Sequence, residues 1–207
     1  TGVDDPDYQA EAKYIQTLSN DTHNGIKGLI VSIRPEDDSF DAWFDETLKM
    51  NVAGYRRILH VMPDETSQAQ TFRDNVKKIG KAGKPFDICF LPTQLSIAYE
   101  FAKECDGVNL VLNHCGVPSI AAGEIDQWGK DIKQLSELPN VVCNCSHTSN
   151  ILSLLFGFFS LSSSRLHLHS RYMNGLSELS LILKNRSTCL FSPLTMMRSL
   201  PLFWNGS

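Results

Sequence analysis

Three strand-like runs in this 207-residue chain end beside side chains that could do chemistry. "VNLVLN" (108–113) runs into His114, "GYRRIL" runs into His60, and "FDICFL" is followed by Pro92, Thr93 and Gln94. An imidazole at a strand end can bind substrate, shuttle a proton near neutral pH or ligate a metal. The plain alternative for either His is a side chain satisfied by backbone groups or facing solvent. Gln94 opens a loop, where it could hydrogen-bond a substrate or cap the next helix. Side chains alternate along a strand, so Arg56 shares a face with His60 while Arg57 points the other way. An arginine on that face suits a carboxylate-bearing substrate through paired N–H···O bonds, with structural salt bridging the competing role for both arginines. Cys115 beside His114 suggests a thiol–imidazole pair. Neighbours on a strand diverge, however, so a buried structural thiol is the expectation.

Positioning these groups takes a scaffold, and the text up to about residue 147 spells one. Five short β-rich runs, 25–33, 54–61, 86–91, 108–113 and 140–145, each open on a turn signal. Between them lie helical spacings. Phe72, Val76 and Ile79 form one such stripe, and Ile125, Trp128, Ile132 and Leu135 form another. A further helix is expected over about 7–19, and Ser39 is placed to cap the helix carrying Phe40 and Trp43. Strands separated by helices predict βαβ units and a parallel sheet, and near-continuous apolar strands predict a sheet covered on both faces. The remainder, 148–207, reads differently. It holds no Asp and one Glu (Glu178) against five Arg or Lys, and it is rich in Ser and Leu without a clean period. We read it as a tail outside the regular fold, its abrupt change in acidity pointing to altered splicing or reading frame.

Bulk properties narrow the function classes. With 42% apolar and 20% charged residues the chain can bury a core, and a net charge of −4 gives no footprint for nucleic acid or an anionic membrane. Its longest apolar run, 151–161, is about half the ~20 residues of a membrane helix. Six irregularly spaced cysteines, some within apolar strands, predict reduced thiols; with no secretory leader in view, this makes a cytoplasmic setting the expectation. Two further patterns are weaker. His167-x-His169 sits in the atypical tail, and Cys143-x-Cys145 lacks a second pair to complete a zinc site.

The run "GYRRILHVMPDE…FRDNVKKIGKAGKPFDICFLPTQLSIAYEFAKECDGVNLVLNHCGVPSI…W…LPNVVCNCS" resembles the amidohydrolase-related family. This is the second amidohydrolase family of TIM-barrel hydrolases and lactonases, and the resemblance covers roughly residues 3–146. It implies an α/β fold, a partial (β/α) TIM-type barrel with about five parallel strands, with catalytic groups at their C-terminal ends. On that resemblance His114 matches the family's active-site histidine, a metal ligand or an electrophile that polarises an ester or lactone carbonyl. The Asp that many members carry before this His is Asn113 here. The family's His-x-His strand would precede Thr1, and no "GSDWP"-like stretch occurs in 148–207. A divalent metal of zinc type is therefore expected of the family, with the ligand set incomplete in this chain. The implied function is cleavage of a lactone, ester or amide by water attack on an activated carbonyl of a small molecule. The competing reading is an inactive fragment or interaction protein that associates, as a homo-oligomer or with another partner, through open sheet edges.

Overall fold

A computed structural model describes residues 7–119 and 125–144. The expected boundary near residue 147, the tail 148–207 and the His167-x-His169 pair lie outside the described residues. Helix α1 (Tyr8–Ser19) precedes strand β1 (Leu29–Ser32), followed by α2 (Phe40–Thr47) and β2 (Val52–Ile58). Two helices, α3 (Asp64–Gln68) and α4 (Gln70–Lys81), lead to β3 (Phe86–Cys89), then α5 (Leu95–Glu104) and β4 (Leu110–Asn113). Helix α6 (Asp126–Ser136) and β5 (Val141–Asn144) complete the described chain.

The five strands pair in chain order, β1-β2-β3-β4-β5, and every pair is parallel. A doubly wound sheet would reverse its order partway and place helices on both faces. Here α2, α4 and α5 pack on one face, as the singly wound path of a (β/α) barrel requires. Phe44 of α2 lies 5.4 Å from the Tyr55 ring of β2. Phe72 of α4 and Phe101 of α5 stand 6.2 and 6.5 Å from the Phe86 ring of β3. Edge-on and tilted rings at these distances add specific attraction to the area they bury. The α4 spacing expected from the sequence holds, since Phe72, Val76 and Ile79 are all fully buried.

Register assigns the two faces. Ser32, Arg56 and Asp87 stand level across β1, β2 and β3, and Asn113 stands level with Asn144 across β4 and β5. With Ile30, Ile58, Cys89, Val111 and Val142 they belong to the face opposite the helices. The helix-side residues Val31, Tyr55, Phe86, Ile88, Leu110 and Leu112 are all buried. The other face, the inside of the barrel, is half-buried at Ile30, Ile58, Cys89, Val111 and Val142. So the expectation of a sheet covered on both faces holds for the helix side, while the inner face carries the polar groups.

Ser39 does not cap α2 as expected. It makes no side-chain cap bond; instead the Asp37 carboxylate accepts the Ser39 backbone N–H at 2.8 Å. Hydrogen bonds from the Ser39 backbone and hydroxyl hold the Asp37 carboxyl below its ordinary value. The local Asp–Ser turn competes with the cap and wins, because the acceptor is charged.

Candidate active site

His60, Gln94 and His114 follow the C-terminal ends of β2, β3 and β4, whereas Arg56 lies within β2, two residues before its end. Arg56, on the inner face of β2, donates from Nε (3.0 Å) and Nη2 (2.6 Å) to the same oxygen, Oδ2, of Asp87 on β3. Asn113 of β4 donates its amide to that oxygen at 3.3 Å and reaches the Cys89 sulfur at 3.1 Å. Asn144 of β5 extends the row, donating to Asn113 Oδ1 at 3.5 Å. A ladder of polar side chains therefore crosses four strands of the sheet. Charge-assisted bonds make its Arg56–Asp87 rung the strongest. Asp87 is 5% exposed and Asn113 2%, whereas the Arg56 side chain keeps 26% of its surface.

The opposite parity of Arg57 is equally clear. It points to the helix side, where its guanidinium pairs with Glu36 and contacts the Met62 sulfur at 3.2 Å. Both arginines form ion pairs. Only Arg56 does so on the inner face.

His114 stands at the end of β4, but not as the last residue of a strand. His114, Cys115, Gly116 and Val117 have φ of 55°, 54°, 69° and 49°, four consecutive left-handed residues. Strand alternation alone would aim His114 toward the helices, on the side of Leu112; the positive φ breaks that alternation. Left-handed backbone costs roughly 1–2 kcal/mol for each of the three non-glycine residues. Packing holds it. Val117 N–H donates to the His114 carbonyl at 2.9 Å, and the Trp128 indole of α6 donates to the Cys115 carbonyl at 2.8 Å. A Cβ on Gly116 would come within 2.8 Å of Leu95, so this position requires glycine for space as well as for conformation. Strain of this kind, at the mouth of a barrel strand, is characteristic of functional sites. Cys115 is 3% exposed, the buried thiol expected.

His60 lies two residues beyond β2 and is exposed; its backbone N–H donates to the Cys89 carbonyl at 2.9 Å, tying the β2 exit to β3. Gln94 follows β3 and is buried. Its Oε1 accepts the Leu91 N–H at 3.0 Å and its Nε2 donates to Asp64 of α3 at 2.7 Å. Its side chain makes no cap bond to α5, the helix it was expected to cap, and instead braces the loop. Asp87 and Cys89 belong to the ladder without standing at a strand exit, the feature that marks His60, Gln94 and His114. The signal for Asp87 was a charge inside the apolar "FDICF", on the parity of an arginine one strand away. Burial pushes the Cys89 thiol up, opposed by the Asn113 amide and by Arg56, so the thiol stays protonated and is a weak nucleophile.

The described residues do not by themselves fit a divalent metal. No three His, Cys, Asp or Glu side chains among them come together to hold an ion. Asp87, the one carboxylate among the described inner-face strand residues, already receives three donors on Oδ2 and sits against a guanidinium that repels cations. Among the described residues no helix is long and apolar enough to cross a membrane.

Comparison with known proteins agrees with the fold. Over 157 residues the chain is 26% identical to the uncharacterized protein y4mH of Sinorhizobium fredii, covering 70% of this chain and 52% of that one. It thus spans about half the length of the curated relative it matches. Among solved structures, an amidohydrolase from Burkholderia multivorans superimposes with a TM-score of 0.63 at 17% identity, covering 86% of this chain and 73% of that one. A second crystal form of that protein, with the same score and identity, contains bound zinc, and 72% of it is covered. A putative 2-pyrone-4,6-dicarboxylic acid hydrolase from Pseudomonas putida matches with a TM-score of 0.55 at 19% identity, over 84% of this chain and 57% of that one. At these identities the structural matches establish the fold, a TIM-barrel type of which five strands are described here. The amidohydrolase family model matches residues 3–169, most of the chain, and the protein belongs to the amidohydrolase family.

Proposed function

We propose that the chain serves a hydrolase site that cleaves a lactone or ester of a small carboxylate-bearing molecule. The observation that carries this reading is the Arg56 guanidinium, held by Asp87 on the inner face while a quarter of its side chain stays exposed. Arg56 would pair with the substrate carboxylate. His114, on its constrained turn one strand beyond Asp87, would polarise the scissile carbonyl or take a proton from the attacking water and pass it to the leaving oxygen. The C–O bond then breaks as the water oxygen completes the new carboxylate. His60 is the second imidazole of this proposal, at the exit of β2, and Gln94, after the intervening β3, acts by bracing its loop. No step runs through a metal. A zinc-type ion at His114 belongs to the proposal only with donors from beyond the described residues. The family fold and the pyrone dicarboxylate hydrolase among its structural likenesses support the reaction class. The cytoplasmic setting and the small-molecule partner are part of the same reading.

The test is turnover of 2-pyrone-4,6-dicarboxylate by the 207-residue chain, followed as loss of the pyrone absorbance. Arg56→Met should raise KM, and His114→Ala should lower kcat by about tenfold or more, the low side of acid–base contributions. Absence of turnover together with self-association in sedimentation would instead favour a non-catalytic role through the sheet edges.

A further inference from the structure

The inner-face ladder contains a carboxylate that takes no part in the proposed bond-breaking step, Asp87. Its Oδ2 takes Nε and Nη2 of Arg56 and Nδ2 of Asn113, and Asn113 passes the connection to Cys89 and Asn144. An oxygen so occupied is poorly placed to accept a proton from water. What it can do is fix a guanidinium. An arginine side chain has several rotatable bonds, and fixing it before a ligand arrives removes an entropy cost from binding. Asp87 holds the Nε side of Arg56, which leaves Nη1 without a protein partner among the described residues and with the geometry for an end-on carboxylate pair. The arrangement is also charge-balanced. Asp87 neutralises Arg56 in a site where Asp87 is 5% exposed, so an anion meets an oriented donor pair and not a bare cation.

We propose that Asp87 is the positioning residue of this site, orienting Arg56, with Asn113 as its brace, for end-on recognition of a carboxylate. This rests on the reading of Arg56 as an anion-binding group. In its absence, Asp87 would be a structural partner whose loss lowers stability alone.

The experiment uses the 207-residue chain, with citrate as the carboxylate probe and two readouts, citrate affinity by calorimetry and the Arg56 Nε–H signal in ¹⁵N NMR. That signal is assigned by its disappearance in Arg56→Lys. In the wild type it should be resolved and slow to exchange with solvent. Asp87→Asn should collapse it toward the signals of free arginines and weaken citrate by about tenfold or more, as displacement of a positioned group does. Asp87→Glu keeps the charge and the fold but moves the clamp, so it should retain the Nε–H signal and still bind citrate more weakly. Equal citrate affinity in the wild type and Asp87→Glu, at a temperature where both are folded by circular dichroism, overturns the proposal. So does an unshifted Nε–H signal in Asp87→Asn. If the wild type does not bind citrate, the anion-binding reading of Arg56 fails, and the Nε–H signal alone then decides whether Asp87 holds Arg56.

Discussion

A β-branched side chain is the least suited to left-handed backbone, yet Val117 adopts φ of 49° at the close of the His114 turn. Asparagine tolerates this conformation because its short polar side chain can bond locally. Val117→Asn should therefore raise stability by about 1 kcal/mol, read as a higher urea midpoint with an unchanged slope. A fall in the midpoint would mean that the Val117 contacts outweigh its strain. Gly116 offers no such gain, since any side chain there meets both positive φ and Leu95. The residues that place His114 are thus its neighbours, Trp128 through the Cys115 carbonyl and Leu95 through Gly116, and not the strand that leads to it.

At the level of elements, one amide fastens the α5–β4 connection to the start of β5. The Asn140 Nδ2 group donates to the carbonyls of Ala102, Cys105 and Val108, at 3.0, 3.1 and 3.2 Å. Two of these lie at the C-terminal end of α5, where helix carbonyls lack intrahelical partners. Asn140 is 8% exposed, so its removal takes this donor from the buried Ala102 and Val108 carbonyls, while the Cys105 carbonyl keeps the Val108 N–H. Asn140→Ala should cost about 2 kcal/mol by urea denaturation, within the range for orphaning buried polar groups. A loss below the error of the measurement would show that water replaces the amide. The segment "LPNVV" that belongs to the family resemblance therefore has a packing reason of its own. The approach of α4 to the β4 entry is as close, because a Cβ on Gly80 would lie 2.7 Å from Val108.

For the whole molecule, acid is the condition that tests the charge network. Hydrogen bonds from Arg73 hold the Glu104 carboxyl below its ordinary value, and those from Ser39 do the same for Asp37. A carboxyl whose folded pKa is depressed contributes stability above its unfolded value, and that contribution is lost as pH falls through the folded one. Stability should thus be steady above the ordinary values of 4.5 and 3.8 and decline below them. Urea midpoints from pH 6 to pH 2.5 measure this, and Glu104→Gln should flatten part of the decline. A midpoint that rises on acidification would contradict the assignment. At this scale β1 and β5 each pair on one side only among the described residues, which is the geometry behind association as the competing role.

Sequence by itself determined the order and kind of the elements. Turn signals bracket β-branched and apolar runs, helical stripes such as Phe72–Val76–Ile79 separate them, and such local patterns are written in neighbouring residues. They were enough for five parallel strands and for the opposite faces of Arg56 and Arg57, because strand alternation has a fixed period. The sequence also marked His114, His60 and Gln94 as strand-exit residues. Tertiary structure alone decided what those residues meet. The Arg56–Asp87 clamp spans 31 residues and depends on the register of β2 against β3, which no local pattern encodes. The left-handed turn at His114 depends on Trp128 and Leu95, brought from other elements, and Gln94 was turned into a brace by Asp64 across 30 residues. Element identity follows from short-range sterics and periodicity, whereas partners follow from register and packing, and these exist only once the sheet is assembled.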